Sequence, residues 1–128
     1  MEKTYLEQEL TASMIAAAID VHKALGPGLL EPAYIKCLAN ELSLRSIVFA
    51  IEVPVPLVYK ECHIECEYRL DMLVDNTVII EEAKSDNHLL PIQEAQILTY
   101  LKLMKIRLGL LINFNEILLK NGIRRFIL

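Results

Sequence analysis

Asp71, Glu82 and Lys84 are the residues whose types and spacing can do chemistry. They fall within RLDMLVDNTVIIEEAK, residues 69–84, an otherwise apolar stretch of Leu, Val and Ile. If Asp75 and Asn76 make a two-residue hairpin turn, Val74 pairs with Thr77 and Asp71 lies opposite Ile80. Alternation then puts Val78, Ile80, Glu82 and Lys84 on the face of Asp71, with Asp71 and Glu82 diagonal neighbours about 7 to 8 Å apart at Cα. Two carboxylates at that spacing can share a divalent cation, and Mg²⁺ or Mn²⁺ suits oxygen ligands and retained waters. The lysine, about 6.6 Å further along the strand, can orient a water or stabilise charge on a phosphate.

A three-residue turn would slip the pairing by one, bring Glu81 to that face and leave Ala83 where the lysine belongs. The two-residue register is the expected one, because it alone sets an acid and the lysine side by side. The competing reading is a solvated sheet face on which Asp71 and Glu82 pair with Arg69 and Lys84.

These residues need elements to hold them. Leu6, Leu10, Met14, Ala17, Val21 and Leu25 recur at three- and four-residue spacing and predict an amphipathic helix from about Leu6 to Leu25. Gly26-Pro27-Gly28 stops it, and a second helix runs from Glu31-Pro32 to about Arg45. Ile47 to Tyr59 reads as an edge or bulged strand, because Pro54 and Pro56 cannot donate ladder hydrogen bonds. Cys62 to Val74 and Thr77 to Lys84 form the hairpin. Pro91 opens a third helix whose Ile92, Ala95, Leu98, Leu101 and Met104 face inward. Leu108 to Phe114 is a buried-type strand, and Ile123 to Leu128 offers one more after an Asn121-Gly122 turn. Helices on both faces of a small mixed sheet bury this pattern, so the fold class is α/β.

A chain of 128 residues is one domain, 1–128, with at most one site. Its 54% hydrophobic content suits a packed globule, and its apolar runs are broken before the roughly 18 to 20 residues a membrane span needs. The acidic start MEKTYLEQEL is not signal-like, which reads as cytoplasmic with no membrane partner. Cys37, Cys62 and Cys66 are an odd number without an export signal and read as reduced thiols, with Cys62 and Cys66 buried. Strand alternation would hold those two about 13 Å apart with His63 opposite, too far for one zinc ion. The net charge of −4 argues against bulk electrostatic coating of nucleic acid, while a metal-dependent site needs only a locally basic surface.

Asp71 with Glu82-Ala83-Lys84 resembles the D…(D/E)-x-K core of the PD-(D/E)xK nuclease superfamily. Gly28, Glu31 and Tyr34, in GLLEPAY, match the motif of the GxxExxY protein family, which is placed in that superfamily. VHKALGPGLLE, YRLDMLV, EAQILTYLKL and LGLLINFN are similar to family signatures and follow in order between residues 21 and 115. The resemblance implies a restriction-endonuclease-like three-layer α/β/α sandwich and Mg²⁺-dependent (or Mn²⁺-dependent) cleavage of nucleic acid phosphodiesters, DNA ahead of RNA. It implies that Glu31 completes a metal set with Asp71 and Glu82, that Lys84 positions the water, and that Gln96 and Tyr100 form the Q-x-x-x-Y element. In the family the acid of the E-x-K element sits one residue closer to the aspartate, so a turn or bulge must absorb an extra residue near Glu81-Glu82.

Gln96 and Tyr100, four apart on a helix, share a face and can reach one site; the bland account is a helix-sheet contact and a core tyrosine. An acid at a helix N-terminus such as Glu31 is favoured by the macrodipole regardless of function, and Tyr34 can simply pack. His22 reads as a helix C-terminal histidine with a local hydrogen bond. Lys102, Arg107, Arg124 and Arg125 are the cations available to steer a phosphate backbone. The rival reading is a non-catalytic binding or regulatory module of the same fold, with a homodimer through a strand edge or the first helix.

Overall fold

The computed structural model of the protein describes residues 2–83 and 91–128, with residues 2–6 described by their backbone. In chain order the elements are α1 (Glu2–Leu25), α2 (Glu31–Leu44), β1 (Phe49–Pro54), β2 (Leu57–Tyr59), β3 (Cys62–Ile64), β4 (Arg69–Val74), β5 (Val78–Glu82), α3 (Pro91–Met104), β6 (Leu108–Ile112), a 3₁₀ turn (Leu119–Gly122) and β7 (Ile123–Ile127). Strands β1-β4-β5-β6-β7 form one mixed sheet in that spatial order, and β2-β3 form a separate hairpin. Among the described residues only β5 and β6 pair in parallel, as a crossover through α3 requires. No described helix is long and apolar enough to cross a membrane.

Alternation along the strands divides the interior into two layers. Met72, Val74, Val78, Ile80, Leu108, Leu110 and Ile112 pack against α1 and α2. Leu73, Ile79, Ala83 and Leu111 face the other way, against Ile97, Tyr100 and Leu101 of α3. The result is the three-layer α/β/α sandwich. Ala17 and Ala18 of α1 are fully buried and small enough to let the helix approach its neighbours closely. Arg45 links α1 to α2 through Asp20 and through Glu41 at 2.9 Å.

Gly26 ends α1 as expected, at φ 72°, with its N–H donating to the carbonyl of His22 at 2.7 Å. Several expectations shift. Pro54 and Pro56 do not merely bulge one strand: they divide it, so β1 stays at the sheet edge while β2 leaves to pair with β3. The stretch from Cys62 to Val74 is likewise two strands. Because β3 lies in a small hairpin away from the main sheet, Cys62 and Cys66 are exposed, not buried. On α3 the inward stripe is Gln93, Ile97, Tyr100 and Leu101, whereas Ile92 is 72% exposed and Ala95 is exposed. Both stripes have helical spacing in so apolar a helix, and the sheet selects between them.

Candidate active site

Glu31, Asp71 and Glu82 come from three elements and line one cavity of about 150 Å³, together with Pro32, Ile35, Lys36, Ile51 and Glu52. Each arrives there for a local reason.

Glu31 opens α2, with Pro32 behind it at a position where a missing N–H costs nothing. The loop before it is held by Tyr34. Its hydroxyl donates to the carbonyl of Gly26 at 2.6 Å and accepts from the N–H of Leu29 at 3.0 Å. The Tyr34 ring is buried and stacks on Phe114 with centroids 4.7 Å apart and planes 4° from parallel. Gly28, at φ 106°, donates its N–H to Asn115 Oδ1 at 3.0 Å. The glycine and tyrosine of GLLEPAY therefore shape the loop that sets the glutamate between them. His22 works on the same structure from behind. Its Nε2 lies 2.7 Å from the carbonyl of Glu116, a tie between segments distant in sequence and not the local bond expected.

The β4-β5 turn has three residues, Asp75, Asn76 and Thr77, the first two at φ 51°. Its register pairs Val74 with Val78 and Met72 with Ile80, one step from the expected pairing. By strict alternation that slip would carry Glu82 to the face opposite Asp71. The strand changes phase at Asp71 instead. Leu70 packs with the α3 layer although Met72 and Val74, in step with it, pack with the α1-α2 layer. Across from this point β1 carries Glu52 at φ 51°. The ladder between β4 and β5 is continued there by side chains: the N–H of Asp71 donates to Glu81 Oε2 at 2.6 Å, and the N–H of Glu82 donates to Asp71 Oδ2 at 2.8 Å. The extra acid is thus accommodated by turn and strand irregularity together. Glu82, on the α1-α2 side with Ile80, lines the cavity with Asp71 and Glu31, while Glu81 faces α3.

Gln96 and Tyr100 do not line the cavity. Gln96 Nε2 donates to the Tyr100 hydroxyl at 3.0 Å, and the Tyr100 ring meets Tyr68 at a 58° tilt, centroids 6.4 Å apart. Burial first, then the charges of Glu81 and Asp71, raise the Tyr100 phenol above its ordinary 10.0. These two residues stand behind Glu81, on the other side of the sheet from the carboxylate cavity. Lys84 lies outside the described residues.

The cations expected from composition are elsewhere. Arg107 and Arg125 line a separate cavity with Glu7 at the far end of β6, and Arg124 pairs with Glu94 of α3 at 2.9 Å. Lys102 is exposed on α3 and does not line the carboxylate cavity. The cavity also holds two charged residues that the sequence motifs do not mark, Glu52 and Lys36. The suspected bulge between Ile47 and Tyr59 was a faint pointer to the first; nothing in the spacing marks the second, which is five residues from Glu31.

Four carboxylates and one ammonium make the cavity wall anionic. All its charged acceptors are hard oxygens, a donor set suited to Mg²⁺ or Mn²⁺ and not to zinc. As the side chains stand, no three His, Cys, Asp or Glu among the described residues form a group close enough to hold a metal ion. Of the four cavity carboxylates, that of Asp71 is engaged with a main-chain N–H, that of Glu82, so a cation would have to draw carboxylate oxygens inward.

No curated protein and no solved structure matches the chain significantly. A family model described as the PD-(D/E)XK nuclease superfamily matches residues 8–126, from early in α1 almost to the end of β7. A match over nearly the whole chain, on this sandwich, establishes that the protein belongs to the PD-(D/E)XK nuclease superfamily.

Proposed function

We propose that the protein is a metal-dependent nuclease that hydrolyses phosphodiester bonds in nucleic acid, DNA ahead of RNA, at the cavity lined by Glu31, Asp71 and Glu82. The observation that carries this reading is the meeting of three acids from α2, β4 and β5 on one anionic cavity in a chain of this superfamily. Glu31, Asp71 and Glu82 would hold Mg²⁺ or Mn²⁺. When bound, the ion supplies Lewis-acid polarisation of the phosphate and a lowered pKa for a coordinated water.

The protein's own groups do the rest. Asp71 is held on both sides, its N–H donating to Glu81 and its carboxylate accepting from the N–H of Glu82, which keeps that carboxylate at the cavity wall. Glu31 is fixed by the Tyr34-pinned loop. Lys84, two residues beyond Glu82, would orient the attacking water and take up part of the negative charge that develops on the phosphate. Gln96 and Tyr100 act from the α3 side, where the Gln96–Tyr100 pair stands near the charge of Glu81, the acid that accepts from the N–H of Asp71.

The test is titration of the protein with MgCl₂ or MnCl₂, following thermal unfolding and cleavage of labelled single- and double-stranded DNA and RNA. The expected result is a rise in Tm on the order of 10 °C at a hundredfold excess of metal over its Kd, with cleavage that needs the metal. Absence of both would make the protein a non-catalytic binding module of the same fold.

A further inference from the structure

We infer that Lys36 of α2 is a phosphate-binding residue of this site, gripping a non-bridging oxygen of the nucleic acid backbone next to the bound metal. The inference rests on the reading of the cavity as a nuclease site, and it assigns to α2 a substrate contact in addition to Glu31.

Three observations carry it. Lys36 is the one cation among the described residues that line the carboxylate cavity, facing Glu31, Glu52, Asp71 and Glu82. It is exposed, and among the described residues no hydrogen bond or ion pair engages it, whereas Arg45, Arg107 and Arg124 lie against carboxylates. Pro32, Ile35 and the half-exposed Ile51 give the same cavity apolar walls beside its charged ones, surroundings suited to the aliphatic stem of a lysine whose ammonium stays solvated.

The electrostatics give the residue a task. A phosphodiester approaching four carboxylates is repelled until positive charge is supplied, and a divalent cation neutralises only part of that wall. An exposed ammonium in the cavity lining can meet the phosphate without competing for the metal's ligands. Such a contact lies at the entrance of the site, so it positions the backbone and steers encounter; it carries no base specificity.

The experiment compares wild type, Lys36→Gln and Lys36→Arg by fluorescence anisotropy on phosphorothioate-linked DNA, which resists cleavage, across a salt series with Mg²⁺. Mg²⁺ affinity is read separately from thermal shifts without DNA. Lys36→Gln is expected to weaken DNA binding roughly tenfold, the size of one charge-assisted hydrogen bond, and to lower the slope of log Kd against log salt by about 1. The same variant should bind Mg²⁺ as tightly as wild type or more so, because a repelling charge has left the acidic wall. Lys36→Arg should keep the wild-type slope. An unchanged slope in Lys36→Gln overturns the inference, as does equal loss of metal and DNA affinity, which would mark a structural role. If wild type shows no metal response yet binds DNA, the nuclease reading fails while the slope still judges Lys36; if wild type binds no DNA, both fall.

Discussion

The main-chain N–H of Asp71 donates to the carboxylate of Glu81 at 2.6 Å, on the strand pair whose regular ladder stops at Met72 and Ile80. A side chain thus does the work of a missing carbonyl, and the neighbouring bond from the N–H of Glu82 to Asp71 returns it from the other strand at 2.8 Å. The consequence is a division of labour between adjacent acids. Glu81 sets the backbone from the α3 side, and Glu82 lines the cavity.

Glu81→Ala is expected to cost about 1 to 3 kcal/mol in urea denaturation, because it leaves the Asp71 N–H without its acceptor at the centre of the sheet. Glu81→Gln keeps a carbonyl oxygen in place and should cost less. Equal losses for the two would show that charge, not the hydrogen bond, matters there.

Glu82→Gln and Asp71→Asn should each abolish the metal-induced rise in Tm and lower cleavage by roughly two to three orders of magnitude, since each removes a charged oxygen ligand from the proposed metal set. If Glu81→Gln, and not Glu82→Gln, eliminates the thermal response to Mg²⁺, the ligand assignment between the two acids is reversed.

Tyr34→Phe deletes both bonds that pin the loop before Glu31. A loss of about 1 to 2 kcal/mol is expected, with the ring still stacked on Phe114. Calorimetry should also show weaker Mg²⁺ binding. Metal affinity identical to wild type would mean that Glu31 is oriented by α2 alone.

Tyr100 supplies a pH dependence. Its folded-state pKa is raised above the ordinary 10.0 by burial and by Glu81, so between those two values the folded protein holds a proton that the unfolded chain has released. The stability associated with this group is complete below pH 10 and is lost as pH climbs through the folded pKa. Urea midpoints measured upward from pH 9 should fall for wild type and fall less steeply for Tyr100→Phe; parallel curves would contradict the assignment.

Local signals along the chain supply the list of parts. Pro91 and Gly26 mark helix ends, the Val- and Ile-rich runs mark strands, and acids embedded in an apolar hairpin mark a place where burial needs another purpose. Those signals are local, and they place α1, α2, α3, β5 and β6 close to where the chain folds them, and β4 at its end by the turn. The resemblance carried by GLLEPAY and its companion motifs reached further, to the superfamily and the three layers, because it reads many positions at once.

Which side chains meet is settled by the packing of the layers. Strand side chains alternate with period two, so a single residue in the β4-β5 turn exchanges the two faces of the hairpin, and no local signal separates a two-residue from a three-residue turn at Asp75-Asn76-Thr77. The phase change at Asp71 depends on Glu52 of another strand and on the side chain of Glu81, so it could not be read from residues 69–84 alone. The inward stripe of α3 was open for a similar reason, since a helix apolar on most sides turns whichever face its sheet can pack. The placement of Lys36 at the carboxylate cavity, and of the four expected cations away from it, follows from where α2, α3 and β7 lie in the packed layers. Charge can be counted along a chain, but its placement is a property of the packed layers.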